Sequence, residues 1–504
     1  MTPHSSETTR GLIQSMLIIG STQLINIALS ILRQKLVAVL LGPAGIGLLG
    51  IFSNFQGMGS QAAGLGMSSS GVREIASARK DPETLGRVRF VLLIAHLVQG
   101  TAAVIVVWVF REPIATALFG APQYAMEVGL VGVSILIGLV AAAHTALLQG
   151  LRQIGDLGRV TVIGAFASTI VGLLAIWLFE EAGLVWFILA QPLFNLLAAR
   201  YYVARLNVSK EHRPSLRAIP GIWLPMARLG FAFMLAGLAT SGTLLIVRGH
   251  IAQTLGLDAA GQFAAAWGIT MVYVGFLLSA MSADYYPRLT EVIQDKRSAT
   301  TLMNDQSQLG LAIGGPVLLL LIGWAPWVIA LLYSEEFAPA VELLQWQSIG
   351  NVFKLASWPL SFSVVAAAKA KTFFSLELTF NIVFLAFVYF YLADFGLIVT
   401  AIAFLAGYMV YFAVSYTLAR NMHGYRMDHL TRNLLISNVV ISSGLLVLAL
   451  ASPGWALWLT PVLAAAMATF GLRAVLSKVG EVGRMATRLI HLFARIGWPI
   501  RVEA

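Results

Sequence analysis

The chain has 504 residues, of which 58% are hydrophobic and only 11% charged, and its mean hydropathy is +0.81. A soluble globular domain carries about 25% charged residues, so one core with a wetted surface is excluded, as is an outer-membrane barrel, which needs long alternating strands. The net charge of +10 does not signal nucleic acid, because no basic stretch is interleaved with aromatics, and zero cysteines exclude disulfides and thiolate metal sites.

Apolar runs of about twenty residues recur, each long enough to cross roughly 30 Å of hydrocarbon. Fourteen spans are expected, over 11–40, 45–71, 90–110, 128–150, 159–179, 183–204, 223–247, 261–283, 308–333, 344–367, 372–393, 396–419, 434–452 and 455–475. The first run lacks a small-residue cleavage site and reads as a retained helix. Turns are short and marked by Gly or Pro, as at Ala451-Ser-Pro453-Gly454.

Lys and Arg orient the spans. With the N-terminus in the cytoplasm, all but five of the 33 basic residues fall on the cytoplasmic side. The exceptions are Arg33, Lys35, Arg111, Arg248 and Lys354. That bias predicts N-in, C-in and an even number of spans.

The segment Ile31 to Gly50 has an echo. Arg33, Gly42 and Gly47 recur as Arg248, Gly256 and Gly261, 214 or 215 residues later. Arg73 pairs in the same way with Arg288, Tyr201 with Tyr416 and Arg205 with Arg420. The reading is an all-α bundle of two six-helix lobes related as parallel repeats, plus two C-terminal helices. The expected divisions are residues 1–206 (N-lobe), 207–228 (cytoplasmic linker), 229–421 (C-lobe), 422–475 (spans 13 and 14) and 476–504. The last is a basic amphipathic tail, with Arg484, Arg488, His491 and Arg495 on one helical face, suited to an anionic leaflet.

No catalytic constellation, phosphate loop or metal spacing occurs, so neither an enzyme nor a cofactor is expected. The informative residues are the charges that topology does not explain. A charge deep in a span costs about 2.5–3.5 kcal/mol on insertion scales and usually faces a cavity or a partner. Arg33, Lys35, Arg248 and Lys354 are expected to line a cationic cavity for a polyanion such as a pyrophosphate, with Arg33 and Arg248 facing each other across the lobe interface. The competing reading is that each snorkels to outer headgroups. Arg73, Arg288, Arg152 and Lys369 are placed at the cytoplasmic mouth, where topology alone could also account for them. Glu74 and Asp284 are candidate partners of Arg73 and Arg288. Glu377 and Asn381 lie one turn apart near Lys369 and Lys371. His96 and His144 are expected to hydrogen-bond within the bundle. Gln23, Asn26, Asn54, Gln56 and Asn351 could line a hydrophilic path or join helices.

The segment Arg33-Gln-Lys-Leu-Val-Ala-Val-Leu-Leu-Gly-Pro-Ala-Gly-Ile-Gly-Leu-Leu-Gly50, with Gly71-Val-Arg-Glu-Ile-Ala76 and Gln149-Gly-Leu-Arg152, resembles the polysaccharide-transporter branch of the multidrug/oligosaccharidyl-lipid/polysaccharide (MOP) exporter superfamily. Within it the likeness is to the Wzx-type O-antigen translocases, a group that includes the enterobacterial-common-antigen lipid III flippase. It covers roughly residues 10–420. The resemblance implies a fold like the multidrug (MATE) exporters, with two six-helix lobes around a cationic cavity. It also implies alternating access and flipping of an undecaprenyl-pyrophosphate-linked glycan to the periplasmic leaflet of the bacterial inner membrane. Membrane lipids, and polysaccharide polymerase or export machinery, are the further partners it implies. The extra spans depart from the twelve-span members, so a lipid II flippase stays open. A drug or ion antiporter is a further alternative, although it predicts a site dominated by carboxylates. A membrane glycosyltransferase or ligase would need a large folded outer loop.

Overall fold

Asp81 and Asp295 begin two helices of equal length. Each sits in extended backbone and accepts the second or third backbone N–H of the helix that follows. Such capping satisfies donors that the first turn leaves open. The computed structural model describes residues 3–206, 214–479 and 484–495, with Trp498 and Ile500. Residues 207–213 of the expected linker and 480–483 of the basic tail lie outside the described residues.

Seventeen helices of eight or more residues follow one another among the described residues, and no strand occurs there. They are α1 (Pro3–Gly64), α2 (Met67–Ser77), α3 (Pro82–Val109), α4 (Arg111–Phe119), α5 (Ala125–Gly150), α6 (Ile154–Phe179), α7 (Gly183–Ala204), α8 (Ile219–Leu255) and α9 (Leu257–Val292). Then come α10 (Lys296–Gly323), α11 (Ala325–Leu332), α12 (Pro339–Ala366), α13 (Ala370–Phe395), α14 (Ile398–His423), α15 (His429–Ala451), α16 (Pro453–Val479) and α17 (Arg484–Arg495). Among the described residues, ten apolar stretches are long enough to cross a membrane, against the fourteen spans expected. Two of the ten hold two helices each: α1 on either side of its break, and α6 with α7. Helix α12 falls outside the ten; Gln345, Gln347, Asn351 and Lys354 lower its hydropathy. The chain is a multi-pass, all-helical membrane protein.

The echo in the sequence is an echo in the backbone. Gly42 breaks α1 with φ 62° and ψ −163°, and Gly256 separates α8 from α9 with φ 92° and ψ 171°. Side chains other than glycine are all but excluded from that region. Pro43 then opens a helix at a position that needs no N–H. Later left-handed residues match as well: Arg152 (φ 60°) with Ala368 (φ 54°), and Glu180 (φ 52°) with Gly396 (φ 69°). The matched caps and breaks support the duplication from α1 through α14.

By its contacts the chain forms two units, residues 1–264 with 332–336, and residues 265–331 with 337–504. Packing and sequence repeat therefore divide the chain differently, because α8, the first helix of the second repeat, packs within the first unit. The contacts there are close. A Cβ on Gly47 would strike the Leu257 carbonyl, one on Gly261 the Pro43 carbonyl, and Gly66 and Gly230 exclude each other in the same way. The first unit buries Met67, Ile75, Val91, Leu147, Leu148 and Ala199 in one cluster. In the second unit, Val274, Leu311, Leu318, Val352, Leu355 and Leu434 form another. In the tail helix α17, Ile490 and Phe493 pack on Leu476, while Arg488 and Arg495 stay exposed.

Candidate functional site: cations held inside the bundle

In the first unit, the α1 turn before the Gly42 break carries Arg33, Gln34 and Lys35. Arg33 is half-buried. Its Nη1 donates to Gln191 Oε1 at 3.1 Å, and its guanidinium lies 5.5 Å from the Phe187 ring centroid. Both partners belong to α7. Among the described residues these are one amide oxygen and one ring face, which leave most of the five guanidinium N–H groups available to an anion.

Lys35 turns toward the returning segment 332–336 and donates from Nζ to the Tyr333 carbonyl. The Tyr333 hydroxyl donates to Gln34 Oε1 at 3.1 Å, and the tyrosine is 1% exposed. Arg248 lies within electrostatic reach of the same tyrosine. Its Nη1 donates to the Gly50 carbonyl at 2.7 Å, and the residue is only 8% exposed. A Cβ on Gly50 would stand 2.9 Å from that nitrogen, so glycine is what lets the guanidinium reach the backbone. The structure thus brings Lys35 and Arg248 to one tyrosine and sets Arg33 on α7.

Lys354 belongs to the second unit. Its Nζ lies 5.2 Å from the Tyr408 ring centroid and 3.8 Å from Met271 Sδ, a weak acceptor. The nearby opposite charge is Glu377, which accepts from the Tyr411 hydroxyl at 2.6 Å. Among the described residues the two charges are not within ion-pair distance. On the same stripe of α12, Asn351 is fully buried with both amide atoms unpartnered, and Gln347 Oε1 accepts from Thr270 at 2.8 Å. Asn381 donates to the Glu377 carbonyl at 2.9 Å.

The four residues assigned to the mouth are all exposed. Arg152 and Lys369 sit in the turns that precede α6 and α13. Arg288 pairs with Asp284 at 3.0 Å, one helical turn away; among the described residues Arg73 forms no such pair with Glu74. His96 and His144, expected to hydrogen-bond within the bundle, each bond through Nδ1 to a carbonyl four residues back on their own helix, both at 2.8 Å. Sequence reading passed over Gln191, Tyr333 and Gly50. Only Gln191 carried a local signal, a long amide one residue before Pro192 within a span.

A family model described as polysaccharide biosynthesis protein matches residues 36–342. The chain belongs to that family. The lipid III flippase of Escherichia coli (strain K12) is 25% identical over 408 residues, covering 78% of this chain and 95% of that protein, and that of Shigella flexneri matches equally. An inward-facing multidrug resistance MATE transporter of the MOP superfamily superposes with a TM-score of 0.70 at 17% identity, over 81% of this chain and 98% of its own. The lipid II flippase MurJ, inward closed, superposes with a TM-score of 0.65 at 15% identity, over 91% and 98%. The fold is like that of these MATE and MurJ structures, as the sequence resemblance implied.

Proposed function

We propose that the chain is a flippase. Its substrate is an undecaprenyl-pyrophosphate-linked oligosaccharide, of the O-antigen, exopolysaccharide or common-antigen kind. It moves this lipid by alternating access from the cytoplasmic to the periplasmic leaflet of the bacterial inner membrane, with both termini cytoplasmic. It transports and does not catalyse. The observation that carries the reading is Arg33: a guanidinium at membrane depth, half open, held by an amide and a ring and, among the described residues, by no carboxylate. Such a group attracts a phosphate in a low-dielectric setting. Lys35 and Arg248, gathered at Tyr333, add positive charge in the same unit. Lys354 adds another in the second unit. Similarity to lipid III flippases over most of the chain supports the substrate class.

Arg73, Arg288, Arg152 and Lys369, exposed and near helix ends, would meet the substrate on entry from the cytoplasm. A lipid II flippase is the same chemistry with another glycan. The half-buried Glu377 beside Tyr411 is what an ion or drug antiporter would use, and it favours that rival.

The test is the pool of undecaprenyl-linked intermediates, sorted by leaflet, in a strain lacking the protein. One glycan lipid accumulating on the cytoplasmic side is expected, and it names the substrate. An unchanged pool with altered drug sensitivity would sink the reading in favour of the antiporter.

A further inference from the structure

The second unit ends in a helix that the proposed transport does not use. The apolar stretch Pro453–Ser477 is long enough to cross a membrane, and Leu476 lies in its last turn. Ile490 and Phe493 of α17 pack on that leucine. The contact sets α17 at the depth where the span ends, which is the level of lipid headgroups. A second contact holds it there. The Trp498 ring centroid lies 4.4 Å from the Arg473 guanidinium carbon, and the Trp498 backbone N–H donates to the Phe493 carbonyl at 3.0 Å. Tryptophan, apolar in body and polar at its tip, favours that level of a bilayer.

The side turned away from α16 is different. Arg488, His491, Leu492 and Arg495 are exposed, and their spacings of three and four place them on one stripe of the helix. An open groove of about 610 Å³ runs beside them, lined among the described residues by these four and Ala494. Helix α17 contains no acidic residue, and among the described residues none of its three exposed basic side chains makes an ion pair. We infer that this stripe of α17 is a docking surface for the anionic phospholipids of the leaflet at which α16 ends. Arg488 and Arg495 lie about 10 Å apart along the helix axis, too far for one phosphate to join, so each takes a separate headgroup. His491 adds a donor between them, and Leu492 enters the acyl boundary. Positive charge on one stripe, held at headgroup depth with a leucine inside it, complements a negative lipid surface.

The inference does not depend on which substrate the bundle carries. The chain has no cysteine, so Leu492→Cys takes a single environment-sensitive fluorophore in the full chain, reconstituted in lipid nanodiscs. Its emission is expected to shift to the blue as phosphatidylglycerol replaces phosphatidylcholine, and salt should weaken the shift. Arg488→Gln and Arg495→Gln, both at exposed positions, are each expected to lower the docked-to-free ratio about fivefold, and together about twenty-five-fold. The same emission in phosphatidylcholine alone, or a shift that the double variant leaves unchanged, overturns the anionic surface. A shift caused by added RNA and not by phosphatidylglycerol overturns it in favour of a soluble polyanion.

Discussion

Arg33 and Arg248 hold the same place in the two repeats and meet opposite surroundings. Each precedes a glycine break of nearly the same geometry, Gly42 and Gly256. Yet Arg33 is half open on Gln191 and Phe187, whereas Arg248 is buried against the Gly50 carbonyl. The repeat therefore preserves the backbone device and not the chemistry. Duplication supplies two broken helices, and packing then chooses which cation stays available and which becomes part of the interior. A buried cation bound to one carbonyl, with Nε unpartnered inside the protein, serves structure and field. Under the proposed function, the half-open one serves binding.

The shared backbone is the part of this comparison that is easiest to break. Gly261→Val places its Cβ in the Pro43 carbonyl, where only backbone could yield. A cost of about 3 kcal/mol or more is expected, read as lost folded protein in membranes and in size-exclusion profiles. Wild-type yield would show that the two turns need no close approach.

Next comes the contrast between the arginines. Arg248→Ala should lower stability by about 2 kcal/mol through lost packing. Arg33→Ala should leave stability within about 0.5 kcal/mol and reduce glycan-lipid export about tenfold or more. Thermal unfolding in detergent, paired with export at matched protein level, separates the two. If Arg33→Ala destabilises and Arg248→Ala does not, the assignment is reversed.

Lys354 and Glu377 extend the comparison to the second unit, where a cation has a carboxylate nearby without an ion pair. A double-mutant cycle with Lys354→Met and Glu377→Gln should give a coupling of about 1 kcal/mol. Additive costs would mean that Tyr408 and Tyr411 hold the two charges independently.

The smallest effect lies at the matched caps. Hydrogen bonds from Thr84 and the following backbone hold the Asp81 carboxyl below the ordinary carboxylate range, and Ser298 does the same for Asp295. Groups depressed in the folded state stabilise it above their unfolded value, about 4, and lose that contribution as pH falls through the lower folded value. Melting temperature should therefore drop on acidification below about pH 4, and Asp81→Asn with Asp295→Asn should flatten that slope. An unchanged slope would remove the caps from the account.

Much of the bundle was legible in the chain itself. Long apolar runs must be helices, because lipid offers no partner to an open backbone. The doubled order of arginine and two glycines marked both helix breaks, because φ near +60° with extended ψ all but requires glycine. Positions 81 and 295 lie one repeat apart and both hold an aspartate before a helix. The partners of the charges were not legible. Lys35 meets Tyr333 and Arg248 meets Gly50 across hundreds of residues, and nothing local in either segment specifies such a meeting. Hydropathy also could not tell that α8 packs with the first unit, since close glycine contacts, not apolar pattern, place it there. The sequence alone determined a duplicated helical membrane protein with misplaced cations. Only the tertiary structure decided which cation is open and which is buried, because those properties depend on neighbours that only packing assembles.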